Sequence, residues 1–206
     1  MKKIYLIRHG ETDFNRLGMV QGSGIDTDLN ELGRKQANAF FEAFKHIPFD
    51  KIYTSALKRT HQSVQRFTTE LQIPHHILTG LNEISWGLKE GRKPSAEEDI
   101  AFENILQRWS SGDLEVAFEG GETPLQVLAR QKEALKIILS QEEEKNIIIC
   151  MHGRAMRILL CELLNYSLSE MDFFLHGNLC LYQLTYTGNM FRVDKANYKK
   201  HLANIV

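Results

Sequence analysis

Ile4-Tyr5-Leu6-Ile7-Arg8-His9-Gly10-Glu11-Thr12 is the stretch on which the fold turns. Four apolar residues, two of them β-branched, stop abruptly at Arg8-His9-Gly10. Such a run, closed by a glycine, reads as a buried strand. In open α/β sheets ligands bind outside the carboxyl ends of the strands, so Arg8 and His9 stand where a site is expected. An arginine there offers a planar fork of donors for phosphate or carboxylate. A neutral imidazole is a nucleophile toward phosphorus, a base or a metal ligand. Gly10 lets the backbone approach a bound anion and supplies an unhindered N–H. Together they point to phosphoryl transfer through a phosphohistidine. The plainer reading is an arginine and a histidine that merely end a strand.

Composition narrows the classes. A chain of 206 residues suits one large domain or two small ones, and 43% hydrophobic with 25% charged residues is ordinary for a globular protein with a core. A net charge of −1 argues against nucleic acid or an anionic membrane as a bulk electrostatic partner. Cys150, Cys161 and Cys180 are scattered, with no Cys-x-x-Cys spacing, which suggests a reducing compartment and no structural zinc. The apolar run after the N-terminal lysines is too short for a signal-peptide core, and no later run approaches membrane-spanning length. The expectation is a cytoplasmic protein.

Outward from the first strand, Thr12 caps a short turn, Glu11 to Asn15. Asn15 then lies near His9, either turning its amide into the same pocket or satisfying its own backbone. Gly18 to Thr27 is a loop in which Gln21-Gly22-Ser23 can line an anion site with backbone and amide donors. Asn30 caps a helix over 31–45. Lys51 to Thr54 is a second strand, and a helix from Ala56 carries Leu57, Thr60, Val64 and Phe67 on one stripe. Arg59 falls in its first turn, where the dipole disfavours a cation and an anionic partner is implied; for a lone case a surface arginine is commoner. His76 to Leu78 is a third strand. Beyond it, Glu83 sits among Leu81, Ile84 and Trp86, either desolvated enough to serve as a general acid or solvated in a loop.

Lys93-Pro94-Ser95 starts a helix ending near Gly112, with Glu97, Glu98, Asp99 and Glu103 on its wet face. A long helix covers about 122–142. Asn146 to Met151 is a continuous apolar run of parallel-sheet type, ending at His152-Gly153-Arg154. It repeats the opening design, so two imidazoles share one sheet edge if the two strands are neighbours. Leu179 to Thr187 and Met190 to Asn197, around Gly188-Asn189, read as a hairpin.

Arg8-His9-Gly10-Glu11-Thr12 with Asn15, Arg59 in Ser-Ala-Leu-Lys-Arg-Thr, Glu83 and His152-Gly153 together resemble the histidine phosphatase superfamily, in its phosphoglycerate mutase-like branch. The resemblance spans residue 4 to about 180. It implies a three-layer α/β/α sandwich with a mostly parallel mixed central sheet, in a single domain over 1–206 with a cap-like insert at about 85–125. It implies His9 as nucleophile, Arg8, Arg59 and His152 around the phosphoryl oxygens with Asn15 assisting, and Glu83 as the acid that then activates water. Gln21, Gly22 and Gly153 complete the expected substrate-binding set. Two arginines and a second, protonated, histidine then supply the charge that phosphoryl transfer requires. No metal or cofactor is expected, since no cluster has metal-ligand spacing.

The chain is short and its insert compact. Trp86 to Gly91 and Gly120 to Thr123 resemble the small broad-specificity and α-ribazole phosphatases more than the mutases. A metal-independent phosphomonoester hydrolase acting on a small phosphorylated metabolite is therefore the expectation, and a cofactor-dependent phosphoglycerate mutase the alternative. Departures from the pattern are Asp28, where many relatives have proline, Lys89, where an aromatic is frequent, and Arg154, an extra cation beside His152-Gly153. The natural substrate and a homodimer are both left open.

Overall fold

The computed structural model describes residues 1–93 and 95–205, with backbone only for 96–98. Strand β1 (Lys2–Arg8) lies inside a six-stranded sheet of order β3-β2-β4-β1-β5-β6. It pairs in parallel with β4 (Asn146–Met151) and antiparallel with β5 (Leu181–Tyr186). Strands β2 (Lys51–Thr54) and β3 (His75–Ile77) extend the parallel side. On the other side, β6 (Phe191–Tyr198) closes the expected hairpin with β5. The sheet is thus mixed, as expected.

Alternation along β1 and β4 divides two cores. Ile4 and Leu6 with Ile147, Ile149 and Met151 face one side; Tyr5 and Ile7 with Ile148 and Cys150 face the other. The second face is covered by α2 (Glu31–Phe44), through Phe40, Phe41 and Phe44, and by α3 (Lys58–Thr69), through Val64 and Phe67. The first is covered by α5 (Pro124–Ser140) and α6 (Gly153–Leu164), with Trp109 of α4 (Ala96–Ser110) completing that core. Buried on both faces, β1 over 4–7 and β4 over 147–151 have no polar face to show, which is why these stretches are unbroken apolar runs.

Local chemistry sets the helix starts. Thr12 and Asn15 form a capping box on the short helix α1 (Asp13–Arg16), Asn30 caps α2 and Thr123 caps α5. The expected helix start at Pro94 lies outside the described residues, as do the side chains of Glu97 and Glu98.

Gly10 has a different use from the one its sequence suggests. Its N–H donates to Ser63 Oγ at 2.9 Å, so it is not open to an anion. Its missing side chain makes room for α2: a Cβ on Gly10 would stand 2.7 Å from the Gly33 carbonyl. A Cβ on Gly33 would in turn stand 2.1 Å from the Glu11 carbonyl. The two glycines let the segment after β1 lie against the start of α2. Gly33→Ala is therefore expected to cost about 1–3 kcal/mol, the range for overpacking a filled site. The check is a lower urea midpoint with unchanged slope.

Candidate active site

The parallel register of β1 and β4 sets the centre of the site. Arg8 is paired with Met151, and the His9 N–H donates to the Met151 carbonyl at 3.0 Å. Both strands therefore release their chains at one edge, and the rings of His9 and His152 lie with centroids 5.1 Å apart. His9 is buried, with Nδ1 2.7 Å from its neighbour's carbonyl, Gly10 O. A carbonyl only accepts, so Nδ1 carries the proton and Nε2 presents a bare lone pair. Burial, then the charges of Arg59 and Arg8, hold the His9 pKa well below the usual imidazole range.

Arg59 has no exposed surface. Its Nη1 donates to Ile25 O at 2.7 Å, its Nη2 to Gly22 O at 3.2 Å, and its Nε to His152 Nδ1 at 3.2 Å. Burial lowers its pKa to about 10 against the opposing pull of Glu83 and Asp26. The loop 18–27 thus meets the site through two carbonyls: Gly22 and Ile25 orient Arg59 by accepting from it. Gln21 accepts from Thr12 Oγ1 and donates to Thr27 Oγ1, so its amide braces the loop.

His152 is neutral, since Nδ1 accepts from Arg59 and its pKa lies well below the ordinary range through burial and the surrounding cations. This corrects the expectation of a protonated second histidine. The reason is tertiary: His152 has zero exposure and a buried guanidinium as its immediate neighbour.

Of the two alternatives for Glu83 the structure shows the buried one, and its carboxylate is also heavily used. Oε1 accepts from the backbone N–H of Ile84 at 2.9 Å and of Ala155 at 2.8 Å, and Oε2 accepts from Arg154 N–H at 3.1 Å. It thereby serves the free N–H groups that open α6, directly after His152. Arg130, of α5, holds the Glu83 loop by donating to the carbonyls of Gly80, Asn82 and Glu83 while pairing with Glu122.

Arg8 Nη1 donates to His176 Nδ1 at 3.2 Å, and Arg8 Nε is buried without a partner. Burial and the nearby arginines push the His176 pKa down to about 3. Gly153 opens α6 under the His176 ring; a Cβ there would stand 2.9 Å from Cε1. Asn15 Oδ1 accepts from Thr12 N–H and from Asn178 Nδ2, which also donates to His9 O. Both sequence readings of Asn15 thus hold in part: it caps a turn, and it stands beside His9. Arg154, the extra cation, is paired with Asp172 at 2.6 Å and stands over the Trp109 ring.

Beside Asn15 and Gln21 a cavity of about 360 Å³ opens between Met19, Val20, Trp86 and Phe102. Sequence reasoning missed Arg130, His176, Asn178 and the hydroxyls of Ser55 and Ser63. Of these, Ser55 lay in a segment that it had singled out, Ser-Ala-Leu-Lys-Arg-Thr, and Glu122, the partner of Arg130, lay in another, Gly120 to Thr123. Among the described residues no group of three or more histidines, cysteines and carboxylates is placed to hold a metal ion.

Residues 4–199 match the family model described as histidine phosphatase superfamily (branch 1). Phosphoserine phosphatase 1 of Hydrogenobacter thermophilus is 30% identical over 82% of this chain and 80% of its own. An adenosylcobalamin/alpha-ribazole phosphatase of Salmonella typhimurium is 26% identical over 79% of each chain. Among solved structures, phosphoserine phosphatase from Entamoeba histolytica in complex with 3-phosphoglyceric acid superposes with a TM-score of 0.84, at 27% identity over 98% of this chain and all of that one.

His9, His152 and His176 are all held neutral, their folded pKa values lying below the unfolded value near 6.5. As pH falls below about 6.5 the unfolded chain takes up protons that the folded chain refuses, so stability falls on acidification. Each such histidine contributes about 1.4 kcal/mol per pH unit. Urea unfolding at pH 7.5 and 5.5 should show this loss, and His176→Gln should make the fall shallower.

Proposed function

The chain belongs to the histidine phosphatase superfamily, branch 1, and from that premise we propose that it hydrolyses phosphomonoesters through a phosphoryl group carried on Nε2 of His9. One observation carries the reading: the bare Nε2 of a buried, neutral histidine under the charge of two nearby guanidiniums, Arg8 and Arg59. A neutral imidazole attacks; the cations take up the charge on the equatorial oxygens. Arg59 is fixed by three acceptors before any substrate arrives, so its remaining donors cost no reorganisation.

In the first step Nε2 of His9 forms its bond to phosphorus as the ester P–O bond breaks, and the leaving oxygen takes a proton from Glu83. In the second, Glu83 takes a proton from water, whose oxygen attacks the phosphohistidine and releases inorganic phosphate. Oε2 of Glu83 accepts one backbone hydrogen bond where Oε1 accepts two, so Oε2 has room for the proton that moves. His152 orients Arg59, Gly22 does the same from the loop, and Asn15 lines the way to the cavity. Residues 85–125, which supply Trp86 and Phe102 to that cavity, act as the substrate-side cover.

The substrate is a small phosphorylated metabolite; relatives named for phosphoserine and α-ribazole support that class. The three cysteines are free and buried, which supports a reducing compartment, the cytoplasm. Among the described residues no helix is long and apolar enough to cross a membrane.

Acid quench of a reaction with labelled phosphoester should trap label on the wild-type protein and none on His9→Ala, whose turnover should fall by at least about a thousandfold. Full hydrolysis by that variant, or arrest by a chelator, would sink the proposal. Glu83→Gln should lower kcat by about 10²–10⁴ on alkyl phosphates. The loss should be smaller in the first step with p-nitrophenyl phosphate, whose leaving oxygen needs no proton. Phosphoenzyme should then accumulate in that variant. Isomerisation of 3-phosphoglycerate faster than phosphate release would replace hydrolysis with mutase activity.

A further inference from the structure

Behind His152 runs a chain of buried hydroxyls. His152 Nε2 lies 2.7 Å from Ser55 Oγ, Ser55 Oγ lies 3.0 Å from Thr60 Oγ1, and Thr60 Oγ1 lies 2.8 Å from Leu57 O. None of the three side chains meets solvent; His152, Ser55 and Thr60 all have zero exposure. Each hydroxyl has one proton, so the directions in this chain can be worked out.

Leu57 O can only accept, and it takes the proton of Thr60. Thr60 Oγ1 must then accept from Ser55, which uses the single Ser55 proton. Ser55 Oγ also accepts from the Leu57 N–H at 3.1 Å. Toward His152 it has no proton left, and it can only accept from Nε2. From the opposite side, Arg59 Nε has a proton and no lone pair, so His152 Nδ1 can only accept. Two independent lines, one from carbonyl to ring and one from guanidinium to ring, arrive at the same tautomer.

We propose that Thr60 and Ser55 are positioning residues that fix His152 as its Nε2–H tautomer, so that its Nδ1 lone pair holds the Nε of Arg59 and aims that guanidinium at the phosphoryl group. Neither hydroxyl has a place in the chemistry itself. Ser55 acts through His152, and Thr60 acts through Ser55. Loss of the terminal acceptor has a definite consequence. Without Thr60 Oγ1, the Ser55 hydroxyl is free to turn its proton onto Nε2. The Ser55 proton then competes with Arg59 for the ring: in the fraction that takes its proton on Nδ1, two donors, Nδ1–H and Arg59 Nε–H, face each other across 3.2 Å. In that fraction the guanidinium turns away from its aim.

The test is the histidine side-chain ¹⁵N spectrum of the full chain at pH 7.5, with His152 assigned by its absence from His152→Asn. The wild type should show a bare-type Nδ1 and a protonated-type Nε2. Thr60→Val, close in shape and leaving no cavity, should move both signals toward the opposite tautomer. It should also lower kcat on p-nitrophenyl phosphate by about 10- to 100-fold, the range for losing a partner that orients a site residue. Thr60→Ser, which keeps the hydroxyl, should restore both the spectrum and the rate. Ser55→Ala is the second variant and should give a mixture of tautomers.

A protonated Nδ1 in the wild type would overturn the proposal. So would unchanged His152 signals in Thr60→Val, whatever happens to the rate, and so would a changed tautomer with an unchanged rate. The rate arm rests on the phosphoryl-transfer reading, but the spectroscopic arm does not. Failure of that reading would show as no turnover of any ester by the wild type, with the wild-type tautomer intact.

Discussion

The site depends on a cation taken wholly out of water. Arg59 has no exposed surface, and its hydrogen bonds go to two backbone carbonyls and an imidazole, none to a carboxylate. Burying a charge costs several kcal/mol even when its donors are satisfied. Neutral acceptors hold the guanidinium in place, and Glu83 and Asp26 act on its charge only through space. The field that remains acts in a buried, low-dielectric site, where an arriving anion gains more from it than it would in water. The same field, with Arg8, holds the His9 pKa well below the ordinary imidazole range, so one arrangement serves both to attract a phosphoryl group and to keep the proposed nucleophile neutral.

Around that cation the fold ties distant parts of the chain together. The loop at 22–25 supplies carbonyls, the start of α3 supplies Arg59, and the end of β4 supplies His152. Glu83 closes the circle by accepting from the first N–H groups of α6, which begins beside His152. Arg130 fixes the loop that carries Glu83. Glu83, His152 and Arg59 are therefore positioned by hydrogen bonds among buried groups, where an unmade bond is costly. Gly10 and Gly33 add a steric constraint, since the chain that carries His9 lies too close to α2 for any side chain at either position.

Much of this was legible in advance because it is local. The apolar runs before His9 and His152, the cap at Asn30 and the stripe of Leu57, Thr60, Val64 and Phe67 each express a period or a hydrogen bond within a few residues. Other features were misread because their partners lie far off. Gly10 promised an open N–H that Ser63 occupies, from 53 residues away. Gln21 promised an anion donor, and its amide braces a loop. His152 promised a charge that full burial beside Arg59 does not allow.

By itself the sequence determined which residue types stand at the ends of strands and helices, because strand and helix periods and caps are short-range. From those it determined an α/β fold with two histidines, two arginines and a carboxyl at element boundaries. Only the tertiary structure decided that β1 and β4 are neighbours in register, which way each hydrogen bond points, and which imidazoles are neutral. Those outcomes depend on burial and on donors and acceptors far apart in the chain, 169 residues in the case of Asn178 and the His9 carbonyl. Desolvation and hydrogen-bond direction exist only once the chain has closed on itself.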